Sequence, residues 1–159
     1  MPIYLDHNAT TPILPDVVDV MLPYLREHFG NPSSGHAYGN RAHEAVERAR
    51  EQVARLLGAE PGEIVFTSGG TEANNLAIRG VAAAAPRGKH LVTSVIEHPA
   101  VAGPCGYLDA HGWKVSRLPV DPSGRVRPDE ARGLIGAKTA LVTIMQANNE
   151  TGTIRSEEH

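Results

Sequence analysis

Short apolar runs alternate with runs of helical length from Glu63 onward, and this alternation constrains the fold more than any other feature. It predicts strands at 63–67, 90–95, 113–118 and 139–145, and helices at about 72–80, 99–110 and 128–135. Pro99 and Pro128 stand where the first turn of a helix accepts proline. Because strand–helix–strand units need crossover connections, we expect an α/β fold with a mostly parallel sheet and helices on both faces.

The sequence before Glu63 contains helices and a loop but little strand signal. Helices are predicted at 16–28 and 42–57, and residues 29–39 between them, rich in Gly, Pro, Asn and Ser, are predicted to form a loop. We therefore predict an N-terminal helical and loop segment at 1–62, followed by the α/β region at 63–159.

Polar residues follow directly after three of the predicted strands. These groups are Ser68–Thr71, Glu97–His98 and Asn148–Glu150. In open parallel sheets, ligands bind beyond the carboxyl ends of the strands, so the three groups are expected to form one site.

The first of these groups predicts an anion-binding turn. Ser68, Gly69 and Gly70 allow a sharp turn, and a helix that starts near Thr71 presents free N–H groups and its positive dipole end. The turn matches neither G-x-x-x-x-G-K-[ST] nor G-x-G-x-x-G, so we expect a phosphate that does not belong to ATP or a dinucleotide. Tight packing, or a helix cap without a ligand, is the alternative.

Composition excludes several classes of function. The formal charge is -3, with 41% hydrophobic and 21% charged residues, which gives no electrostatic basis for binding nucleic acid or anionic membranes. A single cysteine, no apolar run near the ~20 residues of a membrane span, and no signal peptide pattern predict a soluble, cytoplasmic protein. The histidines lack metal-ligand spacing, so no metal site is expected.

Five motifs, in this order, carry a resemblance to a known family. They are PIYLDHNATTP from Pro2, FGNPSSGHAYG from Phe29, FTSGGTEANN from Phe66, IEHPAV from Ile96 and MQANNETGTI from Met145. The chain resembles the cysteine desulfurases, pyridoxal-phosphate enzymes of the class-V aminotransferase superfamily, and it is most similar to the NifS/IscS-like branch. The resemblance runs from Pro2 to about Ile154.

The resemblance implies a fold and an activity. The fold would be part of the large domain of PLP fold type I, with 63–159 as an incomplete cofactor-binding domain. The cofactor would be pyridoxal 5'-phosphate and the substrate L-cysteine, whose sulfur becomes an enzyme persulfide while alanine is released. The implied partners are a second copy of the chain, in a homodimer, and a sulfur acceptor or iron–sulfur scaffold protein.

The resemblance also implies roles for individual residues. Gly70 and Thr71 match the family's phosphate contacts. His98 matches the histidine that stacks on the pyridoxal ring and moves protons, and Asn149 matches the asparagine that hydrogen-bonds the phenolic oxygen of the ring. The neighbouring Asn148 and Glu150 are predicted to stabilise the turn or to support the cofactor contacts without touching the cofactor. His36 belongs to a loop near the family's active site and dimer interface, and its role stays open.

Other residues depart from the family's active-site pattern. Lys89, Lys114 and Lys138 are the only lysines, and none lies in a Schiff-base motif. The family's pyridine-pairing aspartate and sulfur-accepting cysteine have no match, so we expect an amino-terminal portion that is inactive by itself. Cys105 is predicted to be a buried or semi-buried structural residue. Arg155-Ser156 stand where the family usually has Gln-Pro.

Two alternatives to a cysteine desulfurase remain open. One is another class-V aminotransferase or lyase, and the other is a non-catalytic remnant.

Overall fold

A computed structural model describes residues 2–85 and 88–154, so Arg155 and Ser156 lie outside the described residues. The chain divides into two compact units, Met1–Phe66 and Thr67–His159. The assignment of 63–159 as an incomplete cofactor domain stays a prediction. In the part of the chain that is described, no helix is both long and apolar enough to cross a membrane.

The first unit contains two helices, α1 at Pro15–Arg26 and α2 at Ala37–Leu57, followed by a single 3₁₀ turn at Pro61–Glu63. Helix α2 begins before the predicted residue 42, so the predicted loop 29–39 is wrong in its last residues. The reason is a cap, because Nδ1 of His36 accepts a hydrogen bond from the Gly39 N–H at 3.3 Å. Gly58, at φ +66°, ends α2 as a left-handed C-terminal residue.

The strand predicted at 63–67 is wrong. Glu63 belongs to the 3₁₀ turn, and residues 64–67 lie outside any strand, with Val65 63% and Phe66 48% exposed. The segment contacts α2 instead, since Arg50 donates to the Ile64 carbonyl and its guanidinium lies 5.1 Å from the centre of the Phe66 ring. Ile64 has extended backbone angles, φ -93° and ψ 124°. Side-chain type therefore predicted the local backbone conformation, but a strand also requires a neighbour with which to pair.

The second unit is built on a parallel sheet of three strands, β1 at His90–Ser94, β2 at Lys114–Leu118 and β3 at Thr139–Thr143. Their order is β2-β1-β3, and all five residues of the central strand β1 are buried. The three predicted strands at 90–95, 113–118 and 139–145 are confirmed, with ends shifted by one or two residues.

Three helices accompany the sheet: α3 at Gly70–Ala84, α4 at Pro99–Ala110 and α5 at Pro128–Leu134. Helix α4 connects β1 to β2, whereas α5 connects β2 to β3 in the opposite direction across the sheet. Right-handed crossovers, the general rule for such units, would put α4 and α5 on opposite faces. Helix α3 packs against α4. The predicted α/β architecture is confirmed, and α3 extends beyond the predicted 72–80 at both ends.

The core lies between the sheet and the α3–α4 layer. It is formed by Ile78, Leu91, Val101, Cys105, Leu108 and Trp113. The strands that pack on this core are parallel, so the loops that follow them emerge at one edge of the sheet.

The amino edge of the sheet carries a buried histidine and all the lysines. His90 is 8% exposed, and its ring spans the three strands: Nδ1 lies 2.8 Å from Thr139 Oγ1 and Nε2 lies 2.9 Å from Ser116 Oγ. Burial, together with the Lys114 ammonium, lowers the pKa of His90. Lys89, Lys114 and Lys138 line a cavity of about 540 Å³ beside it.

Candidate functional site

The loops at the carboxyl edge of the sheet are joined to one another by hydrogen bonds. The loop after β1 leads to His98, and the loop after β3 carries Asn149. The segment after β2 forms a small antiparallel bridge between Val120 and Val126. Thr153 Oγ1 donates to the Ser123 carbonyl at 2.9 Å, which ties the loop after β3 to this segment.

The turn before α3 is held by its own side chains. Gly69 has φ +156°, a conformation that residues with side chains rarely adopt. Ser68 donates to Glu72 Oε2 from both its backbone N–H and its hydroxyl, each at 2.6 Å. Both hydrogen bonds lower the pKa of the Glu72 carboxyl, and the bond from the hydroxyl has the larger effect. The carboxylate of Glu72 is therefore bound to the turn.

The start of α3 can accept an anion. The first N–H groups of a helix have no intrahelical acceptor, and they lie at its positive end. Asn74 and Asn75 donate to the carbonyls of Gly70 and Thr71, at 2.8 and 3.0 Å, and so fix the first turn. A Cβ built at Gly70 would meet nothing within 4 Å, so the space beside this backbone is open.

His98 occupies the N-cap of α4. Its Nδ1 accepts a hydrogen bond from the Ala100 N–H at 3.0 Å, while the residue is exposed. A neutral imidazole that accepts at Nδ1 carries its proton on Nε2. The cap therefore fixes the orientation of the ring and leaves Nε2 available.

One cavity, of about 390 Å³, brings Thr71 and His98 together between α3 and α4. Gly70 precedes this cavity at the helix start but does not line it, and Asn149 does not line it either. Asn149 is exposed on the loop after β3, where its Nδ2 donates to Glu150 Oε1 at 2.8 Å.

Sequence reasoning missed three residues of this cavity: Asn75, Arg79 and Tyr107. The Arg79 guanidinium lies 4.6 Å from the centre of the Tyr107 ring and places a positive charge in the cavity wall. Thr71, Asn75 and Arg79 are spaced four residues apart, so they share one face of a helix. That spacing was the signal that could have found Asn75 and Arg79.

The loop after β3 is organised by Asn148, which is only 6% exposed. Its Oδ1 accepts from the N–H groups of Glu150 and Thr151, both at 2.9 Å, and from the Thr151 hydroxyl at 3.2 Å. The predicted turn-stabilising role of Asn148 is confirmed.

Cys105 lies in the core, 1% exposed, and burial raises the pKa of its thiol. The prediction that Cys105 is buried is confirmed. Across residues 2–85 and 88–154, no group of three His, Cys, Asp or Glu side chains has the arrangement that a metal ion needs.

The model of one protein family, the class-V aminotransferases, matches residues 3–159. The chain belongs to this family. Among curated relatives, this class-V chain is 50% identical over 153 residues to the cysteine desulfurase IscS of Dictyoglomus turgidum, covering 96% of the chain and 39% of that protein. It is 52% identical over 153 residues to the cysteine desulfurase of Rattus norvegicus, covering 95% of the chain and 34% of that protein.

Solved structures agree with these relatives. A NifS-like protein superposes with a TM-score of 0.93 at 44% identity, over 98% of this chain and 43% of that protein. SspA, solved in complex with cysteine, superposes with a TM-score of 0.89 at 41% identity, over 96% of this chain and 44% of that protein. The predicted NifS-like fold is therefore confirmed. The chain spans about two fifths of the length of the relatives and structures that it matches.

Proposed function

We propose that this class-V chain supplies the phosphate- and ring-binding part of a pyridoxal-phosphate-dependent cysteine desulfurase. The observation that carries the proposal is a cavity that both Thr71, at the start of α3, and His98, at the start of α4, line. An anion-binding helix start next to a fixed, flat imidazole suits a ligand that joins a phosphate to an aromatic ring. The cysteine desulfurases that are about 50% identical to the chain support the same function.

The residues present fit the cofactor's phosphate. The Thr71 hydroxyl and the first-turn N–H groups of α3 would donate hydrogen bonds to the phosphate, and the open backbone at Gly70 would let the anion approach. The Ser68 N–H is occupied by Glu72, so it would not contribute.

The two remaining candidates carry groups that suit an aromatic ring, with His98 in the cavity wall and Asn149 outside it on the loop after β3. The face of His98 would pack on it, with Nε2 holding or moving a proton, and the neutral amide of Asn149 would donate to a phenolic oxygen. When bound, the cofactor supplies an electron sink for charge that develops on an amino-acid substrate.

The lysine that such a cofactor requires is not one of the three in this chain. Lys89, Lys114 and Lys138 lie at the amino edge of the sheet, whereas Thr71 and His98 lie at the carboxyl edge. Because parallel strands keep these edges apart, this placement supports the proposal that none of the three serves at this site. In the proposed enzyme the lysine comes from residues outside this sequence.

Product analysis tests the proposed reaction. A protein that contains this chain, such a lysine and a sulfur-accepting cysteine is incubated with pyridoxal phosphate and L-cysteine in the presence of a thiol reductant. We expect alanine and sulfide in equal amounts, because the substrate sulfur passes to the enzyme and is then reduced. Transfer of the amino group to a 2-keto acid without sulfide would contradict the proposal and favour another class-V reaction.

A further inference from the structure

The two loops that carry His98 and Asn149 are linked by reciprocal hydrogen bonds. From the loop after β1, Glu97 Oε1 accepts from the backbone N–H of Met145, which follows β3, at 3.0 Å. From the loop after β3, Asn148 Nδ2 donates to the carbonyl of Ile96, which follows β1, at 3.3 Å. We call these two contacts the Glu97–Asn148 brace.

The Glu97 half of the brace is anchored to the sheet. The oxygen that accepts from Met145 also accepts from the hydroxyl of Ser94, the last residue of β1, which is 4% exposed. The other oxygen, Oε2, is buried and lacks a hydrogen-bond partner among the described residues, so Oε1 holds the side chain in place.

The Asn148 half of the brace uses both ends of the amide. Nδ2 reaches the Ile96 carbonyl while Oδ1 accepts three hydrogen bonds from within its own loop. A side chain of this length that donates at one end and accepts at the other is an asparagine. An aspartate would keep the turn but could not donate to Ile96.

Each member of the brace stands directly before a candidate site residue, Glu97 before His98 and Asn148 before Asn149. Each site residue therefore follows directly after a residue whose side chain is hydrogen-bonded to the backbone of the other loop. We propose that Glu97 and Asn148 are positioning residues that keep the His98 ring and the Asn149 amide in a fixed relation. The reason for keeping the two side chains in a fixed relation rests on the proposed function. The brace itself can be tested without the cofactor.

Amide exchange measured by NMR on the cofactor-free protein tests the brace. In Glu97→Ala we expect the Met145 amide to exchange about tenfold faster or more, because its acceptor is lost. Glu97→Gln keeps an acceptor oxygen and should restore most of the protection. Glu130→Ala, which removes a partly exposed carboxylate that pairs with Arg127 on the surface near α5, is the control and should leave Met145 unchanged.

Side-chain NMR tests positioning as distinct from stability. We expect the imidazole nitrogen signals of His98 and the side-chain amide signals of Asn149 to shift in both Glu97→Ala and Asn148→Asp. In Asn148→Asp the Thr151 amide should stay protected, because the turn is retained. Unchanged Met145 exchange in Glu97→Ala would overturn the proposal, and so would altered exchange with unaltered His98 and Asn149 signals. Binding of pyridoxal phosphate to the unmodified protein is measured separately, so a failure of the proposed function would be detected there.

Discussion

The Thr71 hydroxyl is the one side-chain donor at the start of α3 that can be removed without disturbing the turn. The turn itself is held by Ser68 and Glu72, and the first helical turn by Asn74 and Asn75. Substitutions at Thr71 therefore report on the ligand contact rather than on folding.

We expect Thr71→Val to weaken pyridoxal-phosphate binding by about 1–2 kcal/mol, the scale of a hydrogen bond to a charged group. Thr71→Ser retains the hydroxyl and should bind nearly as the unmodified protein does. Equilibrium titration of each cofactor-free protein measures the difference. A dissociation constant in Thr71→Val equal to that of Thr71→Ser would remove Thr71 from the phosphate site.

The lowered pKa of His90 predicts a loss of folding stability in mildly acidic solution. Its folded-state pKa lies below the ordinary value of 6.5, so the unfolded chain takes up the proton first as the pH falls. The free energy of unfolding should therefore be insensitive to this group above about pH 7 and should decrease as the pH falls below 6.5. The carboxylates whose pKa values are lowered, Glu72 and Asp121, act at lower pH, below their ordinary 4.5 and 3.8.

Urea denaturation between about pH 7.5 and 5 measures this effect. His90→Gln should flatten the decrease, whereas His43→Gln, which removes an exposed histidine, should leave it unchanged. Equal slopes in the two variants would show that His90 titrates in the folded state as it does in the unfolded chain.

At the scale of elements, some boundaries could be predicted because local chemistry sets them. Pro99 and Pro128 mark the starts of α4 and α5, and Gly58 marks the end of α2. The prediction of a strand at 63–67 failed because the pairing of a strand with its neighbour depends on residues that are distant in the sequence. The prediction placed the start of α2 too late because histidine is not a usual N-cap residue. The capping role of His36 could therefore not be recognised from its residue type.

The candidate site could be predicted only in part for the same reason. The motifs selected Thr71 and His98, and the direction of the strands predicted that their loops would meet. Tyr107 joins the cavity only through the packing of α3 on α4, which no local pattern indicates. The contact between Glu97 and Met145 joins residues that are 48 positions apart, and no local pattern indicates it.

Because the two edges of the sheet are separated, we predict that the lysines of this chain do not form an imine with the cofactor at the candidate site. When this 159-residue chain is mixed with pyridoxal phosphate and reduced with borohydride, we expect no stoichiometric adduct at a single lysine. The reason is that all three lysines lie at the edge opposite Thr71 and His98. Peptide mapping by mass spectrometry measures the adducts. One fully modified lysine whose labelling is lost in Thr71→Val would contradict the placement of the site.

At the scale of the whole molecule, much of the exposed surface is apolar. Helix α1 has no buried residue, and its Val20 and Leu25 are 68% and 70% exposed. The outer strands β2 and β3 each have a neighbouring strand on one side only, within the described residues. Exposed apolar surface and open strand edges both favour association with other chains.

We therefore expect this chain to self-associate in solution as its concentration rises. Light scattering coupled to size-exclusion chromatography measures the mass. Leu25→Glu should reduce the association because it places a charge on the apolar surface, whereas Asn40→Glu adds the same charge at an exposed polar position and should not. A strictly monomeric, sharply melting unmodified chain would contradict the expectation.

The lysine-bearing edge also offers a way of orienting the molecule on a surface. Lysine-directed coupling to a sensor chip or resin would attach the second unit through Lys89, Lys114 or Lys138, all of which are exposed. The loops with His98 and Asn149 would then face the solution, because parallel strands separate the two edges by their full length. A protein immobilised through its lysines should therefore present the same face to every soluble ligand.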